Sequence, residues 1–125
     1  MRICTDIQVR AHAAYLPKQS KPMDNRYLFG YTIMISNDGD QPATLYRRHW
    51  TITNDAGCED RVSGEGVLGQ KPKIMPGKHH KYTSFALLET PVGCMHGFYE
   101  FYLADGEDVV VEVPVFSLAV PGVVS

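Results

Sequence analysis

One short segment holds the residues most suggestive of chemistry. Gly64-Glu65-Gly66-Val67-Leu68-Gly69 spells G-x-G-x-x-G, and Lys71 and Lys73 follow it. In a dinucleotide-binding unit such glycines end a strand and open a helix, whose N-terminal amides hold a pyrophosphate. The context here opposes that use. Pro72 follows Gly69 closely, Pro76 comes soon after, and no amphipathic helical pattern succeeds them. Two readings stay open. Backbone N–H groups of a Gly-rich loop can cradle a small anion, pyrophosphate or a nucleotide, with Lys71 and Lys73 supplying charge. The plainer alternative is a tight connection that needs the backbone freedom of glycine.

A second cluster is Arg47-Arg48-His49-Trp50. On an extended strand, alternation sends Arg48 and Trp50 to one face and Arg47 and His49 to the other. With Trp50 in the core, Arg48 sits at its rim, within reach of a carboxylate such as Glu65 or Glu100. Arg47 and His49 then face outward, where they can meet an acidic partner or a phosphate. Exposed charges on a strand more commonly do no more than keep it solvated.

Other reactive side chains are scattered. His79 and His80 are adjacent, and neighbouring residues of an extended chain point to opposite sides. Neither Cys-x-x-Cys nor His-x-x-x-His occurs, so a metal site is not expected. Cys94 follows Gly93 in a turn-like run, but no histidine can be placed beside it. Ser84 has no G-x-S-x-G setting. No catalytic constellation emerges, and a non-enzymatic chain without a cofactor is expected.

The elements that must position these residues are strands. Tyr27, Phe29, Tyr31, Ile33 and Ile35 alternate with Leu28, Gly30, Thr32, Met34 and Ser36, a half-buried strand rich in aromatic and β-branched residues. Asn37-Asp38-Gly39-Asp40 supplies turn chemistry after it. The same grammar recurs. Ile3, Thr5, Ile7, Val9 and Ala11 alternate in a first strand, and Tyr46, Arg48, Trp50 and Ile52 in a third. A short strand runs over 59–62. Further strands follow over 81–88 and 99–103, and Val109, Val111, Val113 and Val115 alternate in the last. Pro114 marks that strand as an edge or a bulge. Residues 18–25 are polar and read as a loop. About seven strands with turns between them predict an all-β, immunoglobulin-like antiparallel sandwich with Trp50 in the core.

The bulk numbers agree. A chain of 125 residues predicts one domain, residues 1–125. With 44% hydrophobic and 21% charged residues, its composition is that of a globular protein. A formal net charge of -2 argues against a general nucleic-acid or membrane-surface binder. Three widely spaced cysteines do not suit a disulfide framework. The start reads as no signal peptide, and no apolar run approaches the roughly 20 residues a membrane span needs. A reduced, cytoplasmic protein is the expectation. Open edge strands can pair between sandwiches, so a monomer or a weak dimer is expected, with Pro114 blunting one edge.

Tyr27-Leu28-Phe29-Gly30-Tyr31-Thr32 with Ile35-Ser36-Asn37, then Arg48-His49-Trp50, resembles the ApaG family, or DUF525 domain. So do Gly64-Glu65-Gly66-Val67-Leu68-Gly69, Pro76-Gly77, Tyr82-Thr83-Ser84, the run from Glu89 to Tyr99 and the tail from Pro114 to Pro121. The resemblance covers nearly the whole chain in order. It implies a fibronectin type III-like sandwich in a bacterial cytoplasm. It also implies a genetic link to cobalt resistance and magnesium efflux without an assigned biochemical activity. Similar domains lie within an F-box protein and a DNA polymerase-associated protein, where the implied role is protein–protein interaction. The Gly-rich loop carries the family's suggestion of a pyrophosphate or nucleotide site, which falls here on Gly64, Gly66 and Gly69. This sequence departs from its relatives at Phe85, where glycine is usual, and at Ser117, where arginine is frequent. His79 and His80 stand where relatives carry acidic or aromatic residues. The expected function is a regulatory or protein-binding domain, with small-anion binding as the alternative.

Overall fold

Alternating apolar residues can be buried only if two sheets face each other, and the computed structural model, which describes residues 1–123, is built that way. Its strands are β1 (Arg2–Ile3), β2 (Ile7–Tyr15), β3 (Tyr27–Asn37), β4 (Ala43–Asn54), β5 (Glu59–Glu65), β6 (Lys73–Ile74), β7 (His79–Leu88), β8 (Val92–Leu103) and β9 (Asp108–Ala119). One sheet runs β1-β9-β8-β4-β5, with β6 continuing the β5 side of β4. The other is three-stranded, β2-β3-β7. All pairs are antiparallel except β1 with β9. The predicted all-β sandwich is therefore the observed fold. Its seven longer strands match the expected number, and β1 and β6 are two-residue additions.

The inward residues form one core. Phe29, Ile33 and Ile35 of β3 face Leu45 and Trp50 of β4, Met95, Tyr99 and Phe101 of β8, and Val109, Val111 and Leu118 of β9. Trp50 is buried as expected and stands edge-on to Tyr31, Tyr99 and Phe116, with centroids 5.8–6.0 Å away, the arrangement ring quadrupoles favour. The hydroxyls of Tyr82 and Tyr99 hydrogen-bond across the gap between the sheets. Burial holds both phenols far above their ordinary ionisation range. The turn after β3 is fixed by buried Asn37. Its amide donates to the carbonyls of Gln41 and Ile74 at 2.8 and 2.9 Å, and its Oδ1 accepts the Gly39 N–H.

Three expectations of face or continuity need correction. The first strand does not run unbroken from Ile3 to Ala11. The chain leaves β1 at Cys4, whose N–H bonds to the Val110 carbonyl, and crosses to the other sheet before Ile7. Tyr46 does not share the inward face of Arg48 and Trp50. Leu45 pairs with Phe101 and Arg47 with Glu100, so Tyr46 is an extra residue, a β-bulge that turns both Tyr46 and Arg47 outward. Val115 is 65% exposed, because Pro114 and Val115 together oppose His96 in a second bulge and Phe116 takes the inward position. Pro114 thus sits at a bulge, one of its two expected settings. The polar stretch over 18–25 contains two 3₁₀ turns, Pro17–Gln19 and Pro22–Asp24.

Candidate functional site

The outer face of the larger sheet carries a held imidazole. His49 on β4 pairs with Phe98 on β8, and their rings stack at 4.3 Å with 19° between planes. Nδ1 of His49 lies 2.9 Å from the Ser63 hydroxyl on β5. Nε2 lies 2.7 Å from Glu100 Oε2, and Arg47 Nε approaches the same oxygen at 3.8 Å. The β4 bulge brings the Tyr46 hydroxyl to the other Glu100 oxygen at 3.4 Å, and Tyr46 packs on Tyr102. Beside this cluster an open groove of about 600 Å³ runs toward β9, lined by His49, His96, Phe98, Val110, Glu112 and Pro114.

The sequence-predicted residues divide between two places. Arg47 and His49 face outward as expected and meet at Glu100. Glu65 pairs with Arg47 across β4–β5, its carboxylate lies 3.4 Å from Lys71 Nζ, and Lys73 lies opposite Thr44 near the far end of the same face. Arg48 is on the inner side, but its partner is neither Glu65 nor Glu100 through a carboxylate. Its Nη1 donates to the backbone carbonyls of Glu65 and Gly66 at 3.1 and 3.0 Å. Gly64 makes room for it, since a Cβ there would stand 2.9 Å from Nη1. Arg48 is a clamp on the Gly-rich loop.

The loop itself is a tight reversal. Val67 and Gln70 bond to each other in both directions around Leu68 and Gly69, which have φ of 49° and 75°. Gly66 has φ 62°, and a Cβ on it would stand 2.2 Å from the Gln70 carbonyl oxygen, so only glycine fits. The N–H of Gly66 donates to the Tyr46 carbonyl, and Val67 is buried in the core. The amides of Gly66, Val67 and Gln70 are thus used within the chain.

Sequence reasoning missed Phe98 and Ser63, and it offered Glu100 to Arg48 rather than to His49 and Arg47. The signal was present. If Tyr99, Phe101 and Leu103 alternate inward, then Phe98, Glu100 and Tyr102 form an aromatic–acid–aromatic row outward. Among the described residues, no three His, Cys, Asp or Glu side chains converge as a metal site, and Cys4, Cys58 and Cys94 are free. No helix among the described residues is long and apolar enough to cross a membrane.

Two sheets in this order, with the chain start paired to the last strand, define a fibronectin type III-like sandwich bearing a polar and aromatic outer face. The model of the ApaG domain matches residues 17–103, and the chain belongs to the ApaG family. It is 46% identical over 120 residues to Protein ApaG of Salmonella arizonae, covering 96% of this chain and 93% of that one. The crystal structure of the putative ApaA protein from Bordetella pertussis superposes with a TM-score of 0.92 at 37% identity, covering 98% of this chain and all of that one. An X-ray structure of a structural genomics target gives a TM-score of 0.91 at 42% identity, covering 95% of this chain and 90% of that one.

Proposed function

We propose that the chain is a non-enzymatic interaction domain whose contact surface is the outer face around His49, Phe98 and Glu100. The observation that carries this reading is the imidazole stacked flat on Phe98 and fixed at both nitrogens. A side chain ordered before contact loses less entropy on binding. Aromatic side chains and arginine are the residues that interface cores favour, and Phe98, Tyr102 and Arg47 stand on this face. Hydroxyl, imidazole and carboxylate also stand in line here, as in a nucleophilic triad. Ser63, however, lies on the exposed strand β5, where water surrounds it, which favours a contact role over catalysis.

The regulatory setting in this reading is the cytoplasm, with the link to cobalt resistance and magnesium efflux arising through a bound protein. A photo-crosslinker placed at Tyr102 tests it. Adducts with one protein that disappear on Phe98→Asp support the reading. Adducts unaffected by that change remove it.

The alternative is pyrophosphate or nucleotide binding at the loop of Gly64, Gly66 and Gly69. Lys71 and Lys73 favour it as cations near the loop. With three loop amides already bonded, those cations rather than a backbone nest would hold the anion. Amide NMR shifts at Leu68 and Gly69 during pyrophosphate titration test it, and silence at millimolar ligand ends it.

A further inference from the structure

We propose that the free edge of β7 is a docking strand for an extended segment of a partner protein, which adds a fourth strand to the three-stranded sheet and covers the inner face of β5. This goes beyond the outer-face reading and rests on a different surface.

The two sheets are unequal. β5 extends the larger sheet past β4, while the smaller sheet ends at β7. Val62 pairs with buried Trp50 and so points inward, yet it is 42% exposed. Asp60 pairs with Ile52 on the same side and is exposed too. Trp50 packs edge-on to Tyr31, and Tyr31 pairs with Ser84. The Trp50–Val62 pair therefore faces the Tyr31–Ser84 pair, and Val62 lies level with the place a strand beyond β7 would occupy. Where β7 ends, β4, β5 and β7 line one groove of about 360 Å³, with Ile52, Asp60, Leu88 and Glu89 on its walls.

The edge is built to pair. The Asn37 N–H donates to the Lys78 carbonyl, so alternation assigns the even-numbered residues of β7 to β3. The N–H and C=O groups of Lys81, Thr83, Phe85 and Leu87 then point to the open side. From Tyr82 to Leu88 the strand carries no charge or proline, and its register with β3 is unbroken. Two edges of the larger sheet are guarded. β5 carries Glu59, Asp60, Arg61 and Glu65, and β9 carries Pro114 at a bulge. Phe85, 63% exposed, and Leu87, 46% exposed, stand on the outer side of the same stretch.

One strand fits and a second copy of β7 does not. Two sandwiches joined edge to edge through β7 would drive the overhanging β5 of each into the β4 layer of the other. The occupant is a single extended peptide. Alternate residues that are apolar would cover Val62 and Ile52, and a basic residue at one end would meet Asp60 and Glu89.

The test titrates the full, ¹⁵N-labelled chain with a terminally blocked peptide of alternating valine and threonine ending in lysine. We expect shifts at Val62, Thr83, Phe85 and Leu87, and at least about tenfold slower exchange of the Lys81, Thr83, Phe85 and Leu87 amides. Thr83→Pro removes one of these donors and leaves the backbone ladder to β3 intact, losing on that side only the exposed hydroxyl bond to Thr32, so it should abolish binding while circular dichroism stays unchanged. Val62→Lys should weaken binding and, being exposed, does not depend on the proline variant folding. The proposal is overturned by no response at millimolar peptide, by shifts confined to His49 and Phe98, or by undiminished binding to Val62→Lys or to folded Thr83→Pro. Protection of the same amides that rises with protein concentration alone would also overturn it, since a second copy would then hold the edge.

Discussion

Glu100 holds His49 by its Nε2 atom, at 2.7 Å, while the opposite ring nitrogen faces the Ser63 hydroxyl. A carboxylate at Nε2 keeps a proton there and leaves Nδ1 to accept from Ser63. Long-range ¹⁵N–¹H correlations should show the Nε2–H tautomer of the neutral ring. Glu100→Ala should lose that preference and cost about 1 kcal/mol of stability, since the bond is partly exposed.

Arg48 bonds two carbonyls of the Gly-rich loop, so its removal should act on that loop first. Arg48→Ala should destabilise the fold by about 1.5–3 kcal/mol in urea unfolding. Hydrogen exchange of Gly66, whose amide donates to Tyr46, should accelerate more than that of Tyr99.

Gly97 passes so close to β4 that a Cβ would stand 2.0 Å from the His49 carbonyl oxygen. Backbone must move for any side chain there. Gly97→Ala should cost roughly 3 kcal/mol and disturb the His49–Phe98 stack, seen as loss of ring-current shifts at His49.

The Tyr82 and Tyr99 hydroxyls satisfy one another between the sheets. Tyr82→Phe should leave the Tyr99 hydroxyl buried without its partner, at a cost of about 1–3 kcal/mol. The double phenylalanine variant should lose less than the sum of the single variants, which a double-mutant cycle measures.

Arg2 grips Glu107 with two hydrogen bonds of 2.9 Å, and these bonds, aided by its charge, hold the Glu107 carboxyl below its ordinary value of 4.5. The folded value is the lower one, so the stabilisation is complete above about pH 4.5 and is lost as pH falls through the folded value. Glu107→Gln should lower the urea midpoint near pH 7, and the gap from the parent chain should close toward pH 3.

The sandwich was legible because period-two alternation survives in a single sequence. Tyr27 to Ile35 and the turn at Asn37 needed no partner to be read. Trp50 was placed inward by the same rule. Tyr46 and Val115 were misplaced because a bulge inserts one residue without changing composition, and its cause lies in the facing strands. The pairing of Arg48 with carbonyls was hidden for a related reason. A main-chain acceptor has no letter of its own, while Glu65 and Glu100 do. The His49–Glu100 bond needed the register of β4 against β8, which joins residues far apart in the chain.

The extra residue at Tyr46 also sets where this strand tolerates changes in length. Before it, Ala43 and Leu45 point to the core; after it, Arg48 and Trp50 do. Deleting Tyr46 restores plain alternation and leaves every inward residue inward. Deleting Thr51 would instead exchange the two faces for the rest of β4 and send Ile52 outward. A chimera between two such chains is therefore best joined at Tyr46, where a one-residue mismatch in length is absorbed by the sheet rather than by the core.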